Sequence, residues 1–110
     1  MALISLDAAK EYLRVDTEDE DATIDILLSS ACRICVDVAR LSADMWEAVD
    51  SEIESNETYS EEELTAVRET MKVAILYALG YLFEHREEAD HHDLVMTLRN
   101  LLSSVREGVF

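Results

Sequence analysis

The most informative part of the sequence is residues 72–88, KVAILYALGYLFEHREE. Eleven uncharged residues, 73–83, are followed at once by the polar run 84–88. The apolar part is too short to span a bilayer, which needs about 20 apolar residues. Its alanines, leucines and tyrosines instead favour a helix that is nearly surrounded by protein.

The same apolar pattern continues upstream with helical spacing. The stripe consists of Leu64, Val67, Met71, Ala74, Ile75, Ala78 and Leu82. We therefore predict one long helix over residues 60–88, begun by a capping box of Ser60 and Glu63. Because its second half has more apolar surface than one face can bury, either other helices of this chain or another copy must cover the rest.

The composition points to a single helical domain over residues 1–110. The chain has no proline and only two glycines, which disfavours a turn-rich β fold. The formal charge is −16, from 25 acidic and 9 basic residues. Such a surface repels nucleic-acid phosphates and anionic membranes, but it is compatible with a protein that surrounds DNA without binding it tightly. The opening residues lack an extended apolar core, so we expect no signal peptide.

Three other main helices are predicted around the long one. Ser5 is a suitable N-cap for the first, and Thr17 with Glu20 forms a capping box for the second. Apolar spacing also fits a short helix near 43–54. The expected fold is an all-α bundle with four main helices over residues 6–14, 19–41, 60–88 and 93–106.

The cysteines form a CxxC pair, Cys32 and Cys35, in the middle of the second helix. A redox CxxC normally lies at a helix start, where the helix dipole lowers the thiol pKa. A zinc site would need two further ligands. We therefore interpret both cysteines as small core residues in a reducing compartment.

Candidate metal ligands and catalytic residues are few. The acidic stretch 15–25 lacks the central glycine and terminal glutamate of a calcium loop. Glu88 and His91 have the Glu-x-x-His spacing of di-metal bundles, but that motif needs two copies and facing glutamates. No nucleophile elbow or glycine-rich phosphate loop is present in the sequence. We expect no catalytic residue, no metal and no cofactor.

Two sequence blocks together resemble a known family. One is ISLDAAKEYLRVDTEDEDATIDILLSSA, a short helix, an acidic loop and a long amphipathic helix. The other is VAILYALGYLFEHREEADHHDLVMTLRNLLSSVRE, an apolar helix with an aromatic-Glu-x-Arg-Glu ending and a final helix. The chain resembles the head–tail connector proteins of tailed bacteriophages, small all-α adaptors that dock beneath the portal. Residues 43–59 depart from the compact connection of that family.

This resemblance implies a structural virion protein rather than an enzyme. It implies a homo-oligomeric ring of about twelve subunits, closed by cyclic symmetry. The ring would contact the portal protein on one side and tail or stopper proteins on the other, with double-stranded DNA passing non-specifically through its centre. The expected location is the virion, and the host cytoplasm during assembly, without a membrane partner.

The expected contact residues are of two kinds. By the resemblance, Arg86 and Arg106, and with them Glu84, are candidates for ion pairs within or between subunits. Arg33 and Arg40 are further candidates because they lie seven residues apart on one helix, although each alone also fits a solvated surface arginine. The candidate apolar interface residues are Trp46, Tyr77, Tyr81, Phe83 and Phe110. For Trp46 the sequence favours the alternative of an anchor to the core, because a tryptophan buries a large area.

Two other classes of function stay open from the sequence. One is an acidic helical regulator that binds a host protein, for example as a DNA mimic. The other is a metal-dependent helical enzyme that uses Glu88 and His91. Because a fold does not determine a function, the all-α prediction does not decide between them.

Overall fold

The computed structural model describes residues 3–51, 53–85 and 91–105 of the chain. Its described part consists of helices joined by short loops and contains no strand, which confirms the predicted all-α fold. The helices are α1 (Leu6–Leu13), α2 (Asp21–Ala39), α3 (Ala43–Asp50), α4 (Glu61–Glu84) and α5 (His92–Leu101).

The long helix α4 is the centre of the bundle. It packs most extensively against α2, and α1, α3 and α5 also contact it. Every residue of the predicted apolar stripe is buried, and Leu79 is buried with them. The predicted N-cap is also present, because the Glu63 N–H donates to Ser60 Oγ at 3.2 Å. The second bond differs from that of a full capping box, since the Ser60 hydroxyl rather than its backbone N–H donates to Glu63 Oε1.

The first two helices end at residues with left-handed backbone geometry. Arg14 has φ 61° and Arg40 has φ 55°, and each donates its backbone N–H to carbonyls of the preceding turn. Glycine usually fills such positions because it has no Cβ. The last helical residues are thus Leu13 and Ala39, one and two residues before the predicted boundaries at 14 and 41, and an arginine is the C-cap in each case.

The predicted start of α2 is wrong by two residues. Glu20, rather than Thr17, is the N-cap residue, and its side chain makes no capping hydrogen bond. Instead, the Ile24 N–H donates to the Glu20 carbonyl at 2.8 Å, and Asp21 lies in the first turn. The capping box of Thr17 and Glu20 is therefore not formed.

The second half of the chain also has shorter helices than predicted. The helix α4 ends at Glu84 rather than at 88, because His85 has φ −117° and ψ 41° and its ring packs against Tyr81 at 4.3 Å. Likewise, α5 ends at Leu101 rather than at 106, since residues 102–105 form turns.

Helix α3 ends at Asp50, four residues before the predicted boundary, and Arg68 of α4 binds its carboxyl end. The guanidinium donates to the carbonyl oxygens of Val49 at 3.2 Å, Ala48 at 3.3 Å and Ile53 at 2.8 Å. The last carbonyls of a helix have no partner within the helix, so a cation there supplies both hydrogen bonds and favourable charge.

The connection between α3 and α4 has a local turn of its own. Asn56 Oδ1 accepts from the N–H groups of Thr58 at 2.9 Å and Tyr59 at 2.7 Å. Tyr59 packs on the core, and its hydroxyl lies 3.4 Å from the hydroxyl of Ser42, the N-cap of α3. These contacts hold the connection against α3.

The core also contains the residues about which the sequence left alternatives. Trp46 is half-buried and packs against the core, so the core-anchor interpretation is supported. Cys35 is fully buried, Cys32 is half-buried, and both are free thiols. The interpretation of the two cysteines as core residues is therefore confirmed for Cys35 and in part for Cys32.

Candidate functional site

A shallow groove of about 480 Å³ lies between α1 and α4, and we call it the aromatic groove. Its lining is rich in aromatic residues and carries one charge of each sign. The lining residues are Tyr12, Leu13, Arg14, Tyr77, Gly80, Tyr81, Phe83 and Glu84. Aromatic side chains and arginine are the residue types most enriched at the energetic centres of protein interfaces.

The helical repeat of α4 places three of its groove residues on one face, and Val73 precedes them on the same face. Val73, Tyr77, Tyr81 and Glu84 are spaced three or four residues apart, so they share one face of the helix. The first two are largely uncovered, with Val73 60% and Tyr77 40% exposed. This face therefore presents apolar surface that the other described residues of the chain leave open.

Glycine at position 80 allows α1 to approach this face closely. A Cβ atom added at Gly80 would lie 3.3 Å from Cε2 of Tyr12. The Tyr12 ring itself is 48% exposed, so it covers Gly80 on one side and faces solvent on the other. Tyr12 and Gly80 were not among the predicted interface residues. The one signal for them was a glycine inside an otherwise strongly helical segment.

The structure brings together four of the predicted contact residues and separates the others. Tyr77, Tyr81, Phe83 and Glu84 all line the aromatic groove. Trp46 lies on α3, which contributes nothing to that groove. Three further predicted residues, Arg86, Arg106 and Phe110, lie outside the described residues.

The two arginines of α2 occupy different settings. Arg40 follows the helix as its C-cap and is exposed. Arg33 is exposed on α2 and lines a second cleft, formed with α4 and the start of α5. Within the described residues, no carboxylate lies within ion-pair distance of Arg33.

An ion pair that the sequence did not predict joins α1 to the start of α2. Lys10 Nζ lies 2.7 Å from Asp21 Oδ1. This hydrogen bond to Asp21 is the main reason why the pKa of Lys10 is raised above its ordinary value. Because Asp21 is in the first turn of α2, it is also favoured by the helix dipole. The ion pair joins α1 to α2. In this position α1 contributes Tyr12 to the lining of the aromatic groove.

The chemistry of the thiols agrees with their burial. Burial raises the pKa of Cys32 to about 11, with the negative charge of Asp50 as a smaller contribution. Burial also raises the pKa of Cys35 to about 12. Thiols with such pKa values are protonated at neutral pH and are poor nucleophiles and metal ligands.

The part of the chain that the structure describes has no group of three or more His, Cys, Asp and Glu side chains placed to hold a metal ion. Glu88 of the Glu88–His91 pair lies outside that part. None of the described helices combines the length and the apolar character needed to cross a membrane.

Comparisons of the chain with protein-family models, with curated proteins and with solved structures give no match.

Proposed function

We propose that this chain is a structural ring subunit, a head–tail connector of a tailed bacteriophage, and that it is not an enzyme. The observation that carries the proposal is the uncovered apolar face of α4 at the aromatic groove. A monomer with a charge of −16 gains nothing from exposing Val73, Tyr77 and Tyr12 together. A patch of this kind on a strongly charged surface is typical of a protein interface.

The proposed occupant of the aromatic groove is a neighbouring copy of the same chain. In a ring, each subunit uses two different surfaces, one toward each neighbour. Two further uncovered apolar side chains are available on α5, where Met96 is 46% exposed and Leu101 38% exposed. Arg14 and Glu84 at the groove would pair with opposite charges of the neighbour. Such pairs oppose the general repulsion between acidic subunits.

The acidic surface supports the proposed passage of DNA. Glu61, Glu62 and Glu69 are exposed around the start of α4, away from the aromatic groove. A lumen with such a surface would repel phosphates, so DNA would slide through without binding. The partners of the ring are then the portal protein on one side and tail or stopper proteins on the other, in the virion and in the host cytoplasm during assembly.

The first test measures the mass of the protein in solution by light scattering over a wide concentration range, with negative-stain microscopy. We expect a ring-shaped species of about twelve subunits, formed alone or on addition of portal protein. A monomer at every concentration, with no change of mass when portal protein is added, would contradict the proposal.

A matched pair of variants assigns the interface. Tyr77→Glu places a charge in the aromatic groove and should abolish assembly. Thr65→Glu places the same charge on an exposed position of α4 outside the groove and should leave assembly unchanged. Circular dichroism must show equal helix content for both variants. If both assemble like the parent protein, the groove is not the subunit contact.

A further inference from the structure

The second cleft is lined by residues other than those of the aromatic groove, although both sites use the end of α4. It has a volume of about 360 Å³ and is bounded by α2, the end of α4 and the start of α5. Three side chains that can carry positive charge line it, namely Arg33, His85 and His91. In a chain with 25 acidic and 9 basic residues, such a grouping is unusual.

The walls of this cleft are held in place by ring contacts. Tyr81 packs against His85 with a ring-centroid distance of 4.3 Å, and against His91 edge-to-face at 6.2 Å. One aromatic ring thus positions both imidazoles, which come from opposite ends of the α4–α5 connection. A site whose polar groups are held by packing loses less entropy when a ligand binds.

One polar atom of the cleft wall lacks a partner among the residues that the structure describes. Nδ1 of His91 is buried and has no hydrogen bond to any of them. Arg33, on the facing wall, has no ion pair with a described carboxylate. Buried polar groups are nearly always hydrogen-bonded in native proteins, so an unsatisfied one indicates a missing ligand, ion or water. A ligand with negative charge and hydrogen-bond acceptors would satisfy Arg33, and it would also satisfy His91 when Nδ1 carries the proton.

The floor of the cleft selects among anions. We use the word floor for its apolar lining residues, which are Leu27, Ile34 and Leu82. A fully hydrated inorganic anion gains nothing from such a surface, whereas an aliphatic chain attached to the anionic group does. The planar guanidinium of Arg33 matches the geometry of a carboxylate with two parallel hydrogen bonds.

We propose that this cleft is a binding site for a carboxylate carried on an apolar stem, with Arg33 as its main charge partner. The volume falls within the usual range of small-ligand sites. The same chemistry could be supplied by a free aliphatic carboxylate or by an acidic side chain of a partner protein. The site does not depend on ring formation, so it stands or falls separately from the connector function.

The test is an NMR titration of the full chain with hexanoate. The chain has three histidines, so the imidazole Cε1–H signals of His85 and His91 can be assigned with single His→Gln variants. We expect both signals to follow one saturable curve, with a Kd on the order of 1 mM. Acetate and inorganic phosphate should bind at least about tenfold more weakly, because neither reaches the apolar floor.

Two arginine variants provide the control. Arg33→Gln should weaken hexanoate binding by about tenfold or more. Arg99→Gln removes the same charge from an exposed position on α5 that does not line the cleft, and should change binding less than about twofold. The proposal is overturned if hexanoate gives no saturable shift, if Arg33→Gln binds like the parent protein, or if acetate or phosphate binds as tightly as hexanoate.

A second ligand distinguishes the two sources of the carboxylate. The capped peptide acetyl-Leu-Glu-Leu-amide has its only carboxylate on a side chain. Tighter binding of the peptide than of hexanoate supports an acidic side chain of a partner protein. Tighter binding of hexanoate supports a free aliphatic carboxylate.

Discussion

The ring of Tyr12 lies directly against Gly80, with only 3.3 Å between Tyr12 Cε2 and the place where a Cβ would be. Through this contact, α1 lies against the face of α4 that carries Tyr77. It also means that the Tyr12 ring would have to shift slightly if position 80 carried a side chain.

Replacing Gly80 by alanine should therefore have two opposing effects on stability. Alanine in a helix interior is favoured over glycine by about 1 kcal/mol. The new methyl group meets only the edge of an exposed ring that can turn outward. We expect the free energy of unfolding in urea to rise by up to about 1 kcal/mol. In a Tyr12→Ala background the gain should be larger, since the ring is gone. A decrease in the parent background would show that Tyr12 cannot move.

The three hydrogen bonds from the Arg68 guanidinium to backbone carbonyls at and after the end of α3 should contribute substantially to stability. Lysine keeps the charge but cannot reach three carbonyl oxygens with fixed N–H groups. We expect Arg68→Lys to lower the free energy of unfolding by about 1–3 kcal/mol. Arg99→Lys, at an exposed position, should change it by less than about 0.5 kcal/mol. Equal effects of the two variants in urea denaturation would contradict a stabilising role of these three hydrogen bonds.

Two neighbouring positions of α4 should differ sharply in their tolerance of alanine. Ile75 is fully buried, so Ile75→Ala should cost about 2–5 kcal/mol from lost burial and a cavity. Val73, two residues earlier, is 60% exposed, and Val73→Ala should stay within about 0.5 kcal/mol. Thermal and urea unfolding at low protein concentration, where a subunit contact is absent, measure both. A large cost for Val73→Ala under those conditions would mean that its side chain is covered within one chain.

The two cysteines should react slowly with iodoacetamide in the folded protein. At pH 8 a thiol with a pKa of about 11 is thiolate about 100-fold less often than one with the ordinary value near 9. We expect Cys32 to be slowed by at least this factor and Cys35 by more. Single Cys→Ala variants separate the two rates, and urea should make them equal. Fast native labelling of Cys35 would contradict its burial.

The raised pKa values of the two thiols predict that the free energy of unfolding falls at high pH. Below the unfolded pKa near 9, both states keep their protons and stability is unaffected. Between 9 and the folded values of about 11 and 12, the unfolded chain releases protons that the folded chain retains. Stability must therefore fall as pH rises through this window. The double Cys→Ala variant should show a weaker fall.

The sequence predicted the structure well where the residues that decide a feature lie within one or two helical turns of each other. The spacing of Leu64, Met71 and Ile75 was sufficient to predict the buried face of α4, and Ser60 with Glu63 predicted its start. Both signals arise within one or two helical turns, where i, i+3 and i+4 geometry is the same in every helix. The mid-helix setting of Cys35 likewise predicted a core residue.

Contacts between distant parts of the chain were decided only by the tertiary structure. Arg68 reaches carbonyls 15–20 residues earlier, and Lys10 meets Asp21 on the next helix. The left-handed backbone at Arg14 and Arg40 could not be predicted from the sequence, because no glycine marks these positions. In each case the partner is chosen by how whole helices pack, and packing depends on many side chains at once. The sequence by itself thus determined which faces of the helices are apolar, and the packing of α1 and α5 on α2 and α4 decided which of them stay uncovered.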